Sequence, residues 1–244
     1  MGKIILVSSG KGGAGKSTVS AYLGHSLQML GKKTIIIELD SGLRSLDIML
    51  GLEDESCFDL YDILSGECDP NKAIRTAEHF GSLQFIPAPS SPSGNIDTDR
   101  FVALCMALKK NYDFVIIDSP AGVGALFKLA AEASDSAIVV ATPDSVCVRD
   151  AAFVGELLDD YDISEKRLCI NRFDFDQFKK SSFRDLDEVI DRVGVRLIGI
   201  VPSCEHIPSC SSRGEVLPSD SKAKTAFLNI AKRITGEEAE LSIR

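Results

Sequence analysis

The chain lacks any long hydrophobic run. None of its apolar stretches approaches the roughly 20 residues that a transmembrane helix requires. The apolar stretch near the amino terminus is followed at once by the polar Ser8, Ser9 and Gly10, so it is too short for the core of a signal peptide. We therefore expect a cytoplasmic protein and not a membrane-spanning or secreted one.

The chain also lacks paired cysteines. Its seven cysteines are scattered, and no two of them have the C-x-x-C spacing of a zinc or redox site. An odd number of cysteines does not suit a disulfide framework either. We interpret them as reduced thiols of a cytoplasmic protein.

An excess of positive charge is absent as well. There are 27 Lys and Arg residues against 36 Asp and Glu residues, which gives a formal net charge of −9. Such a chain repels nucleic acid unless its basic residues are segregated on one face. Nucleic acid is therefore not an expected partner.

What the chain does contain is a series of short β-branched runs. Most are apolar throughout, which is typical of strands in a mainly parallel sheet with helices on both faces. The predicted strands are Lys3–Ser8, Thr34–Asp40, Leu83–Ile86, Phe114–Asp118, Ala137–Ala141, Arg167–Asn171 and Arg196–Val201.

Segments with helical periodicity lie between these runs. Apolar residues share one helical face in Val19–Leu30, Leu186–Val193 and Ala223–Ile234, and a glycine follows each segment directly or within two residues. The alternation of strands and crossover helices predicts a doubly wound α/β fold. We expect one P-loop ATPase domain over residues 1–244, with a short, disordered acidic tail at 237–244.

The first predicted strand leads into a glycine-rich loop that matches G-x-x-x-x-G-K-[ST] in full, and an amphipathic helix follows. Its backbone N–H groups can point inward around a phosphate, and the helix N-terminus adds partial positive charge. We expect Lys16 to reach the β- and γ-phosphates and the Ser17 hydroxyl to ligate Mg²⁺. The loop consists of Gly10, Lys11, Gly12, Gly13, Ala14, Gly15, Lys16 and Ser17.

Two aspartates end predicted strands and are candidates for the chemistry. A P-loop enzyme needs a carboxylate for the Mg²⁺ shell, and Asp118 is predicted to supply it through water, although such a residue can also cap a helix. Asp40 is the first candidate for orienting a nucleophilic water, because it opens the Ser41-Gly42 loop. On position alone, an ordinary turn aspartate explains Asp40 equally well.

Lys11 is a second lysine that the general P-loop pattern does not require. With it, the loop reads K-G-G-A-G-K-S-T and resembles the deviant Walker A motif, K-G-G-x-G-K-[ST], of the MinD/ParA ATPases, especially their MinD-like members. Further stretches follow the order of the same family across roughly residues 2–237. They are Glu38–Asp47 (ELDSGLRSLD), Asp118–Gly122 (DSPAG), Asn171-Arg172, Gly199–Pro202, Arg213–Glu215 and Asn229–Arg233.

The resemblance implies a switch for intracellular positioning, of a cell-division site or similar, that dimerises with ATP. Slow, Mg²⁺-dependent hydrolysis stimulated by a regulatory protein is also implied, with recruitment to a membrane or pole only through a partner. Lys11 would cross the homodimer interface and contact the other subunit's phosphates. The other catalytic residues would be Lys16, Asp40, which would orient the water, and Asp118, the carboxylate of the Mg²⁺ shell. Thr18 would contact the α-phosphate. The adenine pocket would be lined by Asn171, Arg172, Pro202 and Ser203.

The sequence departs from the family pattern at several places. Glu38 stands where the family usually has Asp, and Ser45 where it has Asn, so we expect changes in rate rather than in reaction. The segment after Gly122, which is the second switch, is shorter than is typical of MinD-like proteins. Those proteins carry a basic amphipathic membrane helix beyond the position of Gly236, whereas this chain ends in an acidic stretch. We therefore expect no strong intrinsic membrane binding.

One alternative is a GTPase. The sequence from Asn171 to Asp174 (NRFD) resembles the guanine motif N-K-x-D with Arg in place of Lys. In that interpretation Asp174 would accept hydrogen bonds from guanine. The loop with Lys11 belongs with ATP users and favours ATP.

A second alternative is an iron–sulfur carrier or reductase of the same P-loop branch. Such a protein needs ordered thiolate ligands, and Cys204 and Cys210 are a candidate pair in one loop. No cysteine lies between Asp118 and Cys147, where the reductase pattern requires one.

A third alternative is a ParA-like DNA-partition ATPase. Lysines at 109–110, at 179–180 and along the last helix could form basic patches. The net negative charge and the absence of a helix-turn-helix extension favour solvated surface lysines instead.

Overall fold

The structure is a computed structural model that describes residues 2–41, 45–52, 58–89 and 96–241. Within them an eight-stranded sheet has the order β3-β4-β2-β5-β1-β6-β7-β8. All neighbouring strands are parallel except the β3–β4 pair at one edge. The strands are β1 (Lys3–Ser8), β2 (Thr34–Glu38), β3 (Arg75–Ala77), β4 (Leu83–Ile86), β5 (Phe114–Asp118), β6 (Ser136–Ala141), β7 (Glu165–Phe173) and β8 (Leu197–Pro202).

Helices connect these strands. The predicted helical segments are confirmed, because α1, α9 and α11 lie where the periodicity indicates. The described helices are α1 (Lys16–Met29), α2 (Ser45–Leu50), α3 (Leu60–Ser65), α4 (Pro70–Ala73), α5 (Thr98–Leu108), α6 (Ala125–Glu132), α7 (Ser145–Leu157), α8 (Phe175–Phe178), α9 (Leu186–Val193), α10 (His206–Ser211) and α11 (Lys222–Ile234). None of the helices in the described part of the chain is long and apolar enough to cross a membrane.

The prediction of a doubly wound, mainly parallel sheet is confirmed. Strands β2, β5 and β6 are buried along their whole length, which explains why they read as continuous apolar runs. The antiparallel edge strand β3 was not predicted, because its three residues (RTA) form no apolar run. The buried apolar side chains form one connected cluster across the sheet.

The point where the chain reverses direction across the sheet lies at β1. The chain leaves β1 towards β2 on one side, and later continues through β6, β7 and β8 on the other. Right-handed crossovers in opposite directions place α1 and α7 on opposite faces of the sheet. Ligands of such folds bind beyond the carboxyl ends of the strands at this reversal, which is where the glycine-rich loop follows β1.

The carboxyl-terminal segment folds back on the last helix. The Arg233 guanidinium donates to the backbone oxygen of Ile198 in β8 at 2.6 Å and to that of Ala239 at 2.9 Å. The Asn229 side-chain amide donates to the backbone oxygen of Glu240 at 3.2 Å. Of the acidic tail expected to be disordered, residues 242–244 lie outside the described residues.

Candidate nucleotide-binding site

The glycine-rich loop connects the end of β1 to the first turn of α1. Gly15, the residue before α1, has φ 93°, and a Cβ built on it would lie 2.2 Å from the Asn171 side-chain nitrogen. Only glycine fits this conformation and this close approach. No side chain caps the N-terminus of α1. Its first N–H groups and partial positive charge are therefore directed at the loop, as an anion such as phosphate requires.

Lys16 is a buried cation inside this loop. Its side chain turns back under the loop, and Nζ donates to the Ser9 hydroxyl at 3.2 Å. Burial lowers the pKa of Lys16, while the carboxylates of Asp118 and Asp40 oppose that shift. Two carboxylates that follow or end strands thus act on the lysine with negative charge.

Ser17 and Asp118 meet at the floor of the site. The Ser17 hydroxyl donates to Asp118 Oδ2 at 2.8 Å, and the Ser20 hydroxyl donates to Oδ1 at 2.8 Å. Asp118 is fully buried, and burial raises its pKa to about 6 against the opposing effect of the two hydroxyls and of Lys16. A hydroxyl and a carboxylate in direct contact are hard oxygen ligands of the kind that Mg²⁺ prefers.

The ends of β7 and β8 close the site on its other side. Asn171 is buried, and its Nδ2 donates to the backbone oxygen of Ala14 in the loop at 2.8 Å. Its Oδ1 is also buried and has no hydrogen-bond partner among the described residues. Ser203 lies next to Asn171's strand, because its backbone N–H donates to the Phe173 oxygen at 2.8 Å.

Arg172 is placed differently from the other residues expected at the adenine. It has φ 54°, a left-handed conformation that is unusual for a residue other than glycine. It lines a cavity of about 440 Å³ together with Thr142 and Pro143, which follow β6. Pro202 and Ser203 lie on the β8 side of β7, so Asn171 stands between the two groups.

Comparisons with known proteins agree with this geometry. A family model described as an AAA domain matches residues 2–159. The septum site-determining protein MinD of Bacillus subtilis (strain 168) is 37% identical over 248 residues, which cover 100% of this chain and 92% of that protein. The chain belongs to the MinD/ParA family of P-loop ATPases.

Solved structures of MinD proteins have the same fold. A chain of the MinC:MinD cell division protein complex of Aquifex aeolicus matches with a TM-score of 0.90 and 33% identity, over 98% of both chains. The septum site-determining protein MinD of Pyrococcus horikoshii OT3, solved with Mg-ADP, matches with a TM-score of 0.86 and 27% identity, over 96% of both chains. The predicted relationship to MinD-like members of the family is therefore confirmed.

The additional lysine of the MinD/ParA loop is half exposed. Lys11 Nζ lies 4.0 Å from Asp144 Oδ1 of the same chain, and both side chains are about half accessible to solvent. Asp144 caps α7 by accepting from the Cys147 backbone N–H at 3.0 Å. An exposed ion pair at this distance is weak, so Lys11 is free to change partners.

The first switch stretch of the family follows β2. Asp40 is partly exposed, and its charge acts on Lys16. Glu38 is fully buried, and burial raises its pKa to about 7. Of the family stretch quoted above, residues 42–44 lie outside the described residues.

The residues behind two of the three alternatives, the GTPase and the iron–sulfur protein, have structural partners. Asp174 caps α8 by accepting from the Gln177 backbone N–H at 2.8 Å. Cys204 lies 3.6 Å from the Ser221 hydroxyl, and Cys210 is buried. In the described part of the chain, no three Cys, His, Asp or Glu side chains are grouped so that they could share a metal ion.

Sequence reasoning missed two serines of the site. Ser9 contacts Lys16, and Ser20 contacts Asp118. Ser20 follows Ser17 by one helical turn, so its position on the same face of α1 could have indicated it.

Proposed function

We propose that the protein is an ATP-dependent dimerisation switch for intracellular positioning, at a cell-division site or a similar place, and that it hydrolyses ATP to ADP and phosphate. The observation that carries this proposal is the contact of Ser17 with Asp118 beside the buried Lys16, at the uncapped N-terminus of α1. These groups supply the anion site, the cation and the oxygen ligands that a Mg²⁺–nucleotide complex requires.

The base side of the site fits adenine. The buried Oδ1 of Asn171, which has no partner in the described part of the chain, is an acceptor, and the exocyclic amino group of adenine is a donor. Guanine carries an oxygen at that position. Two acceptors, this oxygen and the Asn171 Oδ1, would then face each other without a hydrogen bond. Asp174, the residue that a guanine site would use, already caps α8. We therefore assign Asn171, Arg172, Pro202 and Ser203 to the surroundings of an adenine.

Hydrolysis follows from the groups around the phosphates. Bound Mg²⁺ would neutralise charge that develops on the transferred phosphoryl group. Ser17 would hold the metal directly and Asp118 would hold it through water, while Lys16 and the loop N–H groups would orient the β- and γ-phosphates and Thr18 the α-phosphate. Asp40, at the open end of the site, orients the attacking water.

Dimerisation follows from Lys11. This lysine is half exposed, and its contact with Asp144 at 4.0 Å is weak. A second subunit facing the loop would present phosphates within its reach, and a phosphate carries more negative charge than one carboxylate. ATP would thus join two subunits, and loss of the γ-phosphate would release them.

A regulatory protein fits the same scheme, since a MinD relative has been solved in complex with MinC. We propose that a protein partner stimulates hydrolysis here and recruits the switch from the cytoplasm to a membrane or pole. Helix α11 would not serve as the anchor. Its Phe227 and Ile230 are buried in the core.

The test is size-exclusion chromatography of the purified chain with ATP, ADP or no nucleotide, in buffers with and without Mg²⁺. The proposal requires a shift to the dimer with Mg²⁺ and ATP alone, together with release of phosphate. A monomer under all conditions contradicts it. A pull-down with the Asp40→Ala variant and ATP would then identify the partner.

A further inference from the structure

Helix α2, which follows Asp40 and the first switch segment, is tied to the sheet at its N-terminus. Glu38 Oε1 accepts hydrogen bonds from the backbone N–H groups of Ser45 at 2.9 Å and Leu46 at 3.1 Å. Glu38 is the last residue of β2 and is fully buried. Its side chain therefore bridges the end of a central strand and the first turn of α2, across the segment that contains Asp40.

The C-terminal end of α2 packs directly against the backbone of the segment between α10 and α11. Gly51 ends the helix and touches Gly214, which lies between α10 and α11, with φ values of 70° and 63°. A Cβ built on Gly214 would lie 2.4 Å from the Gly51 Cα and 3.2 Å from the backbone oxygen of Ile48. Not even a methyl group fits between the two backbones, so any larger residue would displace α2.

One face of α2 also packs against the hydrophobic core. Leu46, Met49 and Leu50 are buried in the hydrophobic core, whereas Ile48 is exposed. With Glu38 at one end and Gly214 at the other, α2 has a single defined position relative to β2. Asp40 lies two residues after Glu38, the end of β2, and Ser45 is the first residue of α2.

We propose that Glu38 is a positioning residue for ATP hydrolysis, which fixes α2 and thereby holds Asp40 beside Lys16. This inference rests on the proposed role of Asp40 in orienting water. A displacement of about 1 Å in such a group can lower the rate by about 100-fold.

This role needs an acceptor oxygen and not a negative charge. The Glu38 oxygen that faces α2 can accept from N–H groups in the ionised and in the protonated carboxyl. A glutamine keeps such an oxygen at the same distance from the backbone. A carboxylate of the metal shell, in contrast, would lose its function on neutralisation. Glu38→Gln should therefore preserve hydrolysis if Glu38 positions α2, and abolish it if Glu38 belongs to the metal shell.

The experiment compares wild type, Glu38→Gln, Glu38→Leu and Gly214→Ala in steady-state ATP hydrolysis, with titration of a fluorescent ATP analogue. We expect Glu38→Gln to keep kcat within about twofold, and Glu38→Leu to lower it by about 10- to 100-fold with ATP affinity changed less than about threefold. Gly214→Ala, which displaces α2 without altering any carboxyl group, should lower kcat in the same way.

Hydrogen exchange gives a readout that does not depend on activity. The amides of Ser45 and Leu46 should stay protected in Glu38→Gln and lose protection in Glu38→Leu. Equal loss of kcat in the Gln and Leu variants, or a fully active Gly214→Ala, would overturn the positioning role. A wild type that hydrolyses no ATP would refute the proposed function instead, and the exchange data would still decide whether Glu38 anchors α2.

Discussion

The Ser17 hydroxyl donates a 2.8 Å hydrogen bond to Asp118 Oδ2 and so joins the first turn of α1 to the end of β5. The two residues are distant in sequence but lie at adjoining strand ends, because β1 and β5 are parallel neighbours with Val7 opposite Asp118. The hydroxyl and the carboxylate that we propose as magnesium ligands thus lie in direct contact.

Lys16→Ala should weaken ATP binding by at least about 100-fold, because it removes the buried cation that we propose to contact the β- and γ-phosphates. Titration with a fluorescent ATP analogue measures the change. Lys128→Ala removes a charge of the same kind from an exposed position on α6 and serves as the control. An unchanged affinity in Lys16→Ala would contradict the P-loop assignment.

Asp40→Ala should bind ATP as wild type does and accumulate dimers that do not turn over. The substitution removes the group that we propose to orient the water but leaves Lys11, Lys16, Ser17 and Asp118 in place. Light scattering and phosphate release on the same sample measure both effects. Normal phosphate release would show that Asp40 is only a turn residue.

The pH dependence of stability should reveal the buried carboxyl of Glu38. Its pKa is raised to about 7 in the folded protein, so the folded state binds a proton that the unfolded state has released, and stability without nucleotide falls as the pH rises from about 4.5 to about 7. Glu38→Gln carries no charge at any pH.

Relative to wild type, Glu38→Gln should therefore gain about 2 kcal/mol in the free energy of unfolding between pH 5.5 and pH 8. Urea unfolding at the two values measures this gain, and Glu156→Gln, at an exposed site on α7, is the control. If the difference in stability between Glu38→Gln and wild type is instead the same at both pH values, Glu38 titrates in its ordinary range.

Membrane binding should be weak without a partner. The apolar stripe of α11 is occupied in the core, where the rings of Phe227 and Tyr22 lie 5.6 Å apart, and Arg233 ties the following segment to β8. An interfacial helix needs that apolar face exposed. Sedimentation with anionic vesicles in ATP, with neutral vesicles as the control, should leave the protein in the supernatant. Strong ATP-dependent pelleting with anionic vesicles would show that α11 detaches.

Much of the fold and of the phosphate side of the site could be predicted from the sequence. Apolar runs and the glycine-rich loop are local patterns, and Lys16, Ser17 and Asp118 lie in or next to them. The strand β3 could not be predicted, since three residues without apolar character carry no periodicity. The bond of Asn171 to Ala14 and the contact of Gly51 with Gly214 join distant parts of the chain. Such contacts depend on tertiary packing, which no local pattern contains.

The most direct test of the account is the mass of the protein in solution by multi-angle light scattering, with Mg²⁺ and either ATP or ADP. Wild type and the control Lys110→Ala should be dimers with ATP and monomers with ADP. Lys11→Ala should bind the ATP analogue with nearly wild-type affinity and remain a monomer with both nucleotides. If Lys11→Ala still forms dimers with ATP, Lys11 does not join the two subunits and the proposed switch is wrong.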